Sequence, residues 1–311
     1  MGLEPMVERT PILTVFCYGV LIVGTIASLT PLYLALGTAS VASSELNEAG
    51  IAIGFGRYLW ENLGLAWQRA DLGRALFNSL VVAGLVVAGK LVLATLSAYA
   101  IVYFRVGYSR WIFWLVLVTI MLPLEVRIVP TFAVASNALG PIQALLDRTG
   151  LGWVLTHLFG IRINIAWNLI DTYAGLALPL TATATGTFLF RQFFMTIPPE
   201  LSEAARLDGA GPLRFFWDIL LPLSRTNLAA LATLMFLGSW NMYLWPLLVT
   251  TDPAMRTAVI AVAGFQPVAG DIFVPEWNLM MAAALIVVVP PIFVIAVAER
   301  HFVKGLTGGR S

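Results

Sequence analysis

Charge and cysteine are both scarce in this 311-residue sequence. Charged residues make up 11% and hydrophobic residues 59% of the chain, whereas soluble domains carry about 25% charged residues. The single cysteine, Cys17, excludes an internal disulfide and a Cys-x-x-Cys site. His157 and His301 stand too far apart for the usual spacing of zinc ligands. The net charge of +1 gives no indication of a nucleic-acid partner, and none is expected. The composition indicates a multi-pass, all-α membrane protein.

Long apolar runs fill most of the chain. A helix of about 20 apolar residues crosses the hydrocarbon core of a bilayer, and neighbouring helices can accommodate proline or glycine inside a span. The weaker segments at residues 51–67 and 150–170 are not expected to cross, because they mix apolar residues with charged and polar ones. We therefore predict one membrane domain over residues 1–311, with six spans at about residues 11–36, 77–104, 111–137, 173–197, 226–250 and 277–299.

The distribution of basic residues predicts which way the spans face. Short loops rich in Lys and Arg stay on the cytoplasmic side of a membrane. If both termini are cytoplasmic, ten Lys and Arg residues fall on the inner side and six on the outer side. The short loop RVGYSR, residues 105–110, carries two of the ten. We therefore expect both termini in the cytoplasm, together with the loop between the fourth and fifth spans.

That loop, residues 198–218, is charged and interrupted by glycine between two apolar runs. Pro198 and Pro199 suit the first turn of a helix, where the missing N–H is not needed. Gly209 suits a left-handed stop at the other end. Helical spacing puts Ser202, Glu203 and Arg206 on one side. It puts a second set, with small side chains that a partner could approach closely, on another side: Leu201, Ala204, Ala205 and Asp208. A solvated helix that merely joins two spans would have the same composition.

The stretch EAARLDGAGPLRFFWDILLPL, which begins at Glu203, resembles the EAA loop of permeases from binding-protein-dependent ABC importers. The shared pattern is Glu-Ala-Ala, then Asp-Gly-Ala three residues later, and an apolar stretch that ends in Leu-Pro. In that family the loop forms a coupling helix that docks in a groove of a cytoplasmic ATPase. The matching positions here are Glu203, Ala204, Ala205, Asp208, Gly209, Ala210, Leu221 and Pro222.

The resemblance covers nearly the whole chain and implies the type I importer permease fold, as in the maltose-type carbohydrate permeases of the bacterial inner membrane. It implies three partners within or beside the lipid bilayer: a second homologous permease, two copies of a cytoplasmic ABC ATPase, and an extracytoplasmic solute-binding protein. ATP and magnesium would bind to the ATPase, so this chain would hold no cofactor and catalyse no reaction. In the family, the outer loop that corresponds to residues 251–276 reaches into the binding protein, although an ordinary surface loop would look much the same.

Four further stretches resemble the E-type permease subunits of sn-glycerol-3-phosphate importers. They are MLPLEVRIVPT (121–131), TFLFRQFFMT (187–196), PLSRTNLAAL (222–231) and WNMYLWPLL (240–248). The outer stretch at about residues 139–167 is longer than the corresponding loop of those permeases. The resemblance implies sn-glycerol-3-phosphate or a glycerophosphodiester as solute, with a neutral sugar or oligosaccharide as the alternative within the family. An ion-coupled secondary transporter is the alternative outside it, and a membrane hydrolase is disfavoured because no catalytic cluster is visible.

Five polar residues inside the apolar runs are candidates for the solute path. A charge within a span is unfavourable and is functional by default, which applies to Lys90, Glu125 and Arg127. Arg127 would suit a phosphate-bearing solute, because a guanidinium offers a bidentate fork. Asn241 and Tyr243 lie in the fifth span, which lines the path in the family. Structural alternatives stay open: ion pairs or carbonyl contacts for the charged residues, and a bond between helices for Asn241.

Residues 84–91, GLVVAGKL, nearly match a phosphate-binding P-loop. Leu91 stands where that motif needs the Ser or Thr that holds magnesium, and the stretch lies inside an apolar run instead of a turn between strand and helix. We therefore predict that the match is a coincidence and that the energy for any transport comes from a partner.

Overall fold

A computed structural model describes residues 11–46, 50–104, 107–120, 124–150, 153, 157–158, 167–182, 184–266 and 276–307. Within these ranges the backbone forms helices and connecting turns and no strand, which confirms the all-α prediction. The principal helices are α1 (Pro11–Ser40), α2 (Leu59–Arg69), α3 (Leu72–Tyr103), α4 (Ser109–Ile120), α5 (Leu124–Ser136), α6 (Gly140–Arg148), α7 (Tyr173–Thr181), α8 (Ala184–Thr196), α9 (Pro199–Leu207), α10 (Pro212–Phe215), α11 (Arg225–Trp240), α12 (Leu244–Val249), α13 (Ala258–Ala263), α14 (Trp277–Val287) and α15 (Val289–Thr307).

Three helices in the described ranges are long and apolar enough to cross a membrane: Ile12–Ser40, Leu72–Tyr103 and Trp277–Glu299. Two bent pairs raise the number to five if each pair is counted as one span. They are Val126–Ser136 with Gly140–Arg148, at 78°, and Pro212–Leu223 with Arg225–Trp240, at 74°. The predicted spans at residues 111–137, 173–197 and 226–250 each contain two helices. The count of six spans and the single domain stay predictions.

Residues Met1–Leu72 and Val262–Val287 form one compact unit, in which α1, α2 and α14 pack against one another. Its polar centre is the buried Asn62, whose Nδ2 donates to the carbonyls of Ala39 (2.8 Å) and Val41 (2.9 Å). The Nδ2 of Asn278 donates in turn to Asn62 Oδ1 at 3.2 Å. Because buried amides are stable only when they are hydrogen-bonded, this network fixes how the three helices meet. Residues 12–33 of α1 are exposed within the chain, which leaves them for lipid or a partner helix.

The second unit comprises Gly73–Ala261 and Val288–Ser311 and has two apolar clusters. One cluster joins α3, α8, α9, α10 and α11, and the other joins α3, α5, α7 and α12. The 32 residues of α3 give a rod about 48 Å long, and different parts of this rod contribute to the two clusters. Residues 84–91 form continuous helix within α3, so the near match to a P-loop has none of the loop backbone that holds phosphate.

The chain turns sharply between α10 and α11. The N–H of Leu221 donates to the carbonyl of Phe216, five residues back, so that Phe216–Leu220 form a π turn. The next residue, Pro222, has no N–H with which to continue the helical ladder. At the bend, the Oγ of the fully buried Ser224 donates to the carbonyl of Leu220 at 2.6 Å. The sequence thus provides a wide turn, a proline and a hydroxyl at the 74° bend.

Candidate functional site

The helix α9 carries the Glu-Ala-Ala motif and is closed by a well-formed stop. The amide of Gly209 donates to the carbonyl of Arg206 (3.1 Å), and the amide of Ala210 donates to the carbonyl of Ala205 (2.8 Å). This pair of bonds is the Schellman arrangement, which requires a left-handed residue just after the helix. Gly209 has φ +74° and provides it, as the sequence predicts. The stop fixes the direction in which the chain leaves α9.

The two faces of α9 have different surroundings. Ala205 is 5% exposed and packs in the apolar cluster with Phe215 and Phe216. Glu203, Ala204 and the 89% exposed Leu207 point away from the chain. The prediction that Ala204 and Ala205 share one face open to a partner is therefore wrong for Ala205. Consecutive residues differ by about 100° around a helix. Here that step places Ala204 on the exposed face of α9 and Ala205 on the buried inner face.

Aromatic side chains hold the inner face of α9. This aromatic anchor consists of Tyr99, Tyr103, Phe215 and Phe216, from the end of α3 and from α10 and the π turn. The rings of Tyr99 and Phe216 lie 5.1 Å apart, and those of Tyr103 and Phe215 lie 5.3 Å apart. The hydroxyl of Tyr99 donates to the carbonyl of Pro212 at 2.9 Å. Aromatic pairs add to the stability that burial alone provides, so the anchor ties α9 to α3.

A separate cavity of about 610 Å³ lies among α3, α4, α5, α7, α8 and α12. We call it the cation cavity, because Lys90 from α3 and Arg127 from α5 both line it. Ser97 is seven residues from Lys90, and Thr131 is four residues from Arg127, so each pair shares one face of its helix. Both hydroxyl residues also line the cavity, and Trp245 from α12 closes part of its wall. Two of the five predicted path residues are therefore brought together.

The other three predicted path residues are placed differently. Asn241 and Tyr243 are exposed, and neither lines the cation cavity. The Nδ2 of Asn241 donates to the carbonyl of Leu237 at 3.0 Å, which closes the end of α11. Met242, between them, does line the cavity. Glu125 belongs to the first turn of α5, but its side chain lies outside the described part of the structure.

The segment that follows α12 is attached to the second unit through Asp171. This carboxylate accepts hydrogen bonds from the amide of Thr251 (2.6 Å), the amide of Asp252 (2.8 Å) and the hydroxyl of Thr251. Desolvation is the largest single influence and acts to raise the pKa of Asp171, but the three hydrogen bonds together outweigh it and hold the pKa below its ordinary value. Asp171 also has φ +56°. The clamp holds the first residues of the predicted 251–276 loop, of which residues 267–275 lie outside the described ranges.

Sequence reasoning missed the aromatic anchor and the Asp171 clamp. The spacing of Tyr99 and Tyr103 by four residues at the end of a span was a visible signal, since such residues share a helical face. No local pattern connects Tyr99 with Pro212, which is 113 residues away. Likewise, Asp171 and Thr251 are 80 residues apart and meet only in the folded chain.

Comparison with known proteins identifies the family to which this chain belongs. Residues 81–308 match the family model described as binding-protein-dependent transport system inner membrane component. The "sn-glycerol-3-phosphate transport system permease protein UgpE" of Yersinia enterocolitica is 43% identical over 308 residues, which covers 97% of this chain and 98% of that protein. The protein of the same name from Escherichia coli (strain UTI89 / UPEC) is 42% identical over 307 residues, with the same two shares.

Two solved structures share the fold. A chain in the crystal structure of a bacterial ABC transporter involved in the import of the acidic polysaccharide alginate has a TM-score of 0.72 and 18% identity, covering 96% of this chain and 100% of that one. A chain of the bacterial alginate ABC transporter in complex with an alginate pentasaccharide-bound periplasmic protein has a TM-score of 0.53 and 14% identity, covering 78% and 86%. This chain is therefore an inner-membrane permease and belongs to the family of inner-membrane components of binding-protein-dependent transport systems.

Proposed function

We propose that this chain is a membrane subunit of an ATP-driven importer for sn-glycerol-3-phosphate or a glycerophosphodiester. The observation that carries the proposal is the 43% identity, over 97% of the chain, to a permease named for sn-glycerol-3-phosphate transport. A second homologous permease, two copies of a cytoplasmic ABC ATPase and an extracytoplasmic binding protein complete the importer. ATP and magnesium bind to the ATPase, and this chain contributes no covalent chemistry.

The proposed contact with the ATPase is the exposed face of α9. Glu203, Ala204, Leu207 and Asp208 are exposed and give this face a mixture of apolar and acidic character. The inner face supplies Ala205 to the apolar cluster. Because α9 is packed against the permease on one side and exposed on the other, an ATPase that binds the exposed side could move it together with the helices it packs on. Ala205, Gly209 and Ala210 then act by positioning the helix and not by touching the ATPase.

In the proposed mechanism, displacement of α9 by the ATPases drives transport. Closure of the two ATPases on ATP displaces α9, and the aromatic anchor passes the displacement to α3. The helices around the solute path then open to one side of the membrane and close to the other, which is alternating access. Both termini and α9 lie in the cytoplasm, in keeping with the ten-to-six distribution of Lys and Arg among the predicted loops. The Asp171 clamp lies on the outer side, where it supports the loop that receives the binding protein.

Reconstitution tests the proposal. This permease, its companion permease and the ATPase are incorporated into proteoliposomes with ATP enclosed and the binding protein outside. Uptake of radiolabelled sn-glycerol-3-phosphate should require ATP, the ATPase and the binding protein together. ATP-independent uptake driven by an ion gradient would show a secondary transporter instead. Uptake of a neutral oligosaccharide without uptake of sn-glycerol-3-phosphate would assign the importer to the carbohydrate branch.

A further inference from the structure

We infer that the cation cavity is the site at which this permease receives the phosphate group of its solute, with Lys90 and Arg127 as the two cationic ligands. The inference rests on the proposed function and adds to it the residues and the charge that select the solute. Both residues line the same cavity of about 610 Å³, although they are on different helices. A solute of the size of glycerol phosphate fits easily in that volume.

The cavity offers hydrogen-bond donors besides the two cations. Ser97 lies on the same face of α3 as Lys90, and Thr185 lines the cavity from α8. On α5, the hydroxyl of Thr131 donates to the carbonyl of Arg127 at 2.6 Å, within one turn of Pro130. Because the Thr131 hydroxyl donates to the backbone, Arg127 is the cationic residue that α5 contributes to the cavity lining. The donors therefore come from three helices and converge on one space.

The charges of Lys90 and Arg127 are not balanced within the described part of the chain. The ion pairs among the described side chains are Arg69 with Glu276 and Arg214 with Asp218. The guanidinium of Arg191, also within an apolar run, lies 4.0 Å from the ring centroid of Phe113, which compensates a cation in part. Lys90 and Arg127 instead face the cavity. Unbalanced charge within a membrane is strongly unfavourable, so an anion that enters the cavity is attracted to both.

A phosphate monoester matches this arrangement better than a neutral sugar does. It carries a charge of about −1.5 to −2 at pH 7 and three acceptor oxygens. Arg127 can bind two of these oxygens as a fork, and Lys90 can approach a third as a point charge. The wall includes the apolar side chain of Trp245, and opposite charges attract more strongly beside apolar side chains than in bulk water. A neutral solute would enter the same space without balancing either cation.

The test compares variants that remove charge with variants that keep it. Lys90→Met, Arg127→Met and the double variant are assayed in the reconstituted importer beside Lys90→Arg and Arg127→Lys. Arg74→Met is the matched control, because Arg74 lies on the same helix as Lys90 and is exposed outside the cavity. We expect each Met variant to lower uptake of sn-glycerol-3-phosphate by about 10- to 100-fold. This is the loss of affinity expected when a hydrogen bond to a charged group is removed. ATP hydrolysis stimulated by the binding protein should persist, and the Arg74→Met control should retain uptake. The charge-keeping variants should lose less uptake than the Met variants, and Arg127→Lys should lose more than Lys90→Arg because Lys cannot form the fork.

A labelling experiment covers the possibility that a charge-removing variant does not assemble. Ser97→Cys is placed in a Cys17→Ser background, which leaves one thiol in this chain, and the rate at which this chain reacts with a small maleimide is measured in the assembled importer. Saturating sn-glycerol-3-phosphate should slow this reaction, and glycerol at the same concentration should not. Absence of protection by the phosphate ester, or uptake by the double Met variant within twofold of wild type, would overturn the inference. A wild-type importer that takes up no phosphate ester at all would instead overturn the proposed function.

Discussion

Gly209 gives a direct test of how α9 is held at its angle. Its φ of +74° is required by the stop that closes the helix. A Cβ built on Gly209 meets no atom within 4 Å, so Gly209→Ala introduces no clash and acts only through the backbone. For a residue with a Cβ, the left-handed region costs about 1–2 kcal/mol, which is about a 5- to 30-fold change in an equilibrium constant. Gly209→Asn should cost less, because Asn tolerates this region, and Gly209→Val should cost more because its side chain is branched.

A matched control lies two residues away in the same loop. Gly211 has φ −70°, and its Cβ would also meet no atom within 4 Å, so Gly211→Ala should be neutral. The assay is solute taken up per ATP hydrolysed in the reconstituted importer. We expect this ratio to be unchanged for Gly211→Ala, lowered several-fold for Gly209→Ala, lowered less for Asn and lowered most for Val. Equal ratios for the two alanine variants, or a Val variant as active as the Asn variant, would refute the reasoning.

Three further predictions concern the exposed face of α9, the aromatic anchor and the Asp171 clamp. In a Cys17→Ser background, a maleimide should label Ala204→Cys in the permease pair without ATPase and should leave Ala205→Cys unlabelled, since Ala205 is 5% exposed; equal labelling would contradict the buried placement. Tyr99→Phe removes one part-buried hydrogen bond, so the complex should lose about 1 kcal/mol of stability and melt at a lower temperature, whereas an unchanged melting temperature would show that the hydroxyl is dispensable. The pKa of Asp171 is lowered by its hydrogen bonds despite desolvation, so its carboxylate stabilises the outer loop at neutral pH and this contribution is lost as the pH falls below about 4. Amide hydrogen exchange at Thr251, corrected for the intrinsic rate, should therefore be faster in Asp171→Asn than in wild type at pH 7, and this difference should shrink as the pH falls from about 4 through the lowered pKa of Asp171; equal rates at pH 7 would contradict the clamp.

The long helix α3 could be predicted from the sequence, whereas the interrupted spans could not. α3 contains no proline, and its 32 residues follow one apolar run. The run at residues 226–250 is also long and apolar, but its helix stops at Trp240 and begins again at Leu244. Pro246 cannot donate to the carbonyl of Met242, so the ladder is interrupted there. Hydropathy reports how apolar a segment is and contains no information on whether its backbone continues straight.

Individual residues of the candidate site could be predicted where the residue type alone indicates its role. Gly209 was predicted as a stop because a left-handed position favours glycine, and Lys90 stands out because a charge in an apolar run is rare. The direction of Ala205 could not be predicted, because it depends on contacts with distant residues such as Tyr99. Asn241 is as polar as any path candidate, yet it caps its own helix, a use that the sequence cannot distinguish from contact with a solute.

The position of Lys90 on α3 explains how one helix can connect two distant events. Tyr99, in the aromatic anchor, is nine residues from Lys90 in the cation cavity, a distance of about 14 Å along the helix axis. Because both belong to one uninterrupted helix, a shift or rotation of the anchor moves the ammonium group of Lys90 as well. Arg127 is on α5, which has no residue in the cluster around the anchor. A displacement of α9 that turns α3 against α5, with which α3 packs in the second apolar cluster, would therefore change the separation of the two cations and how tightly a phosphate is held at the step that releases it.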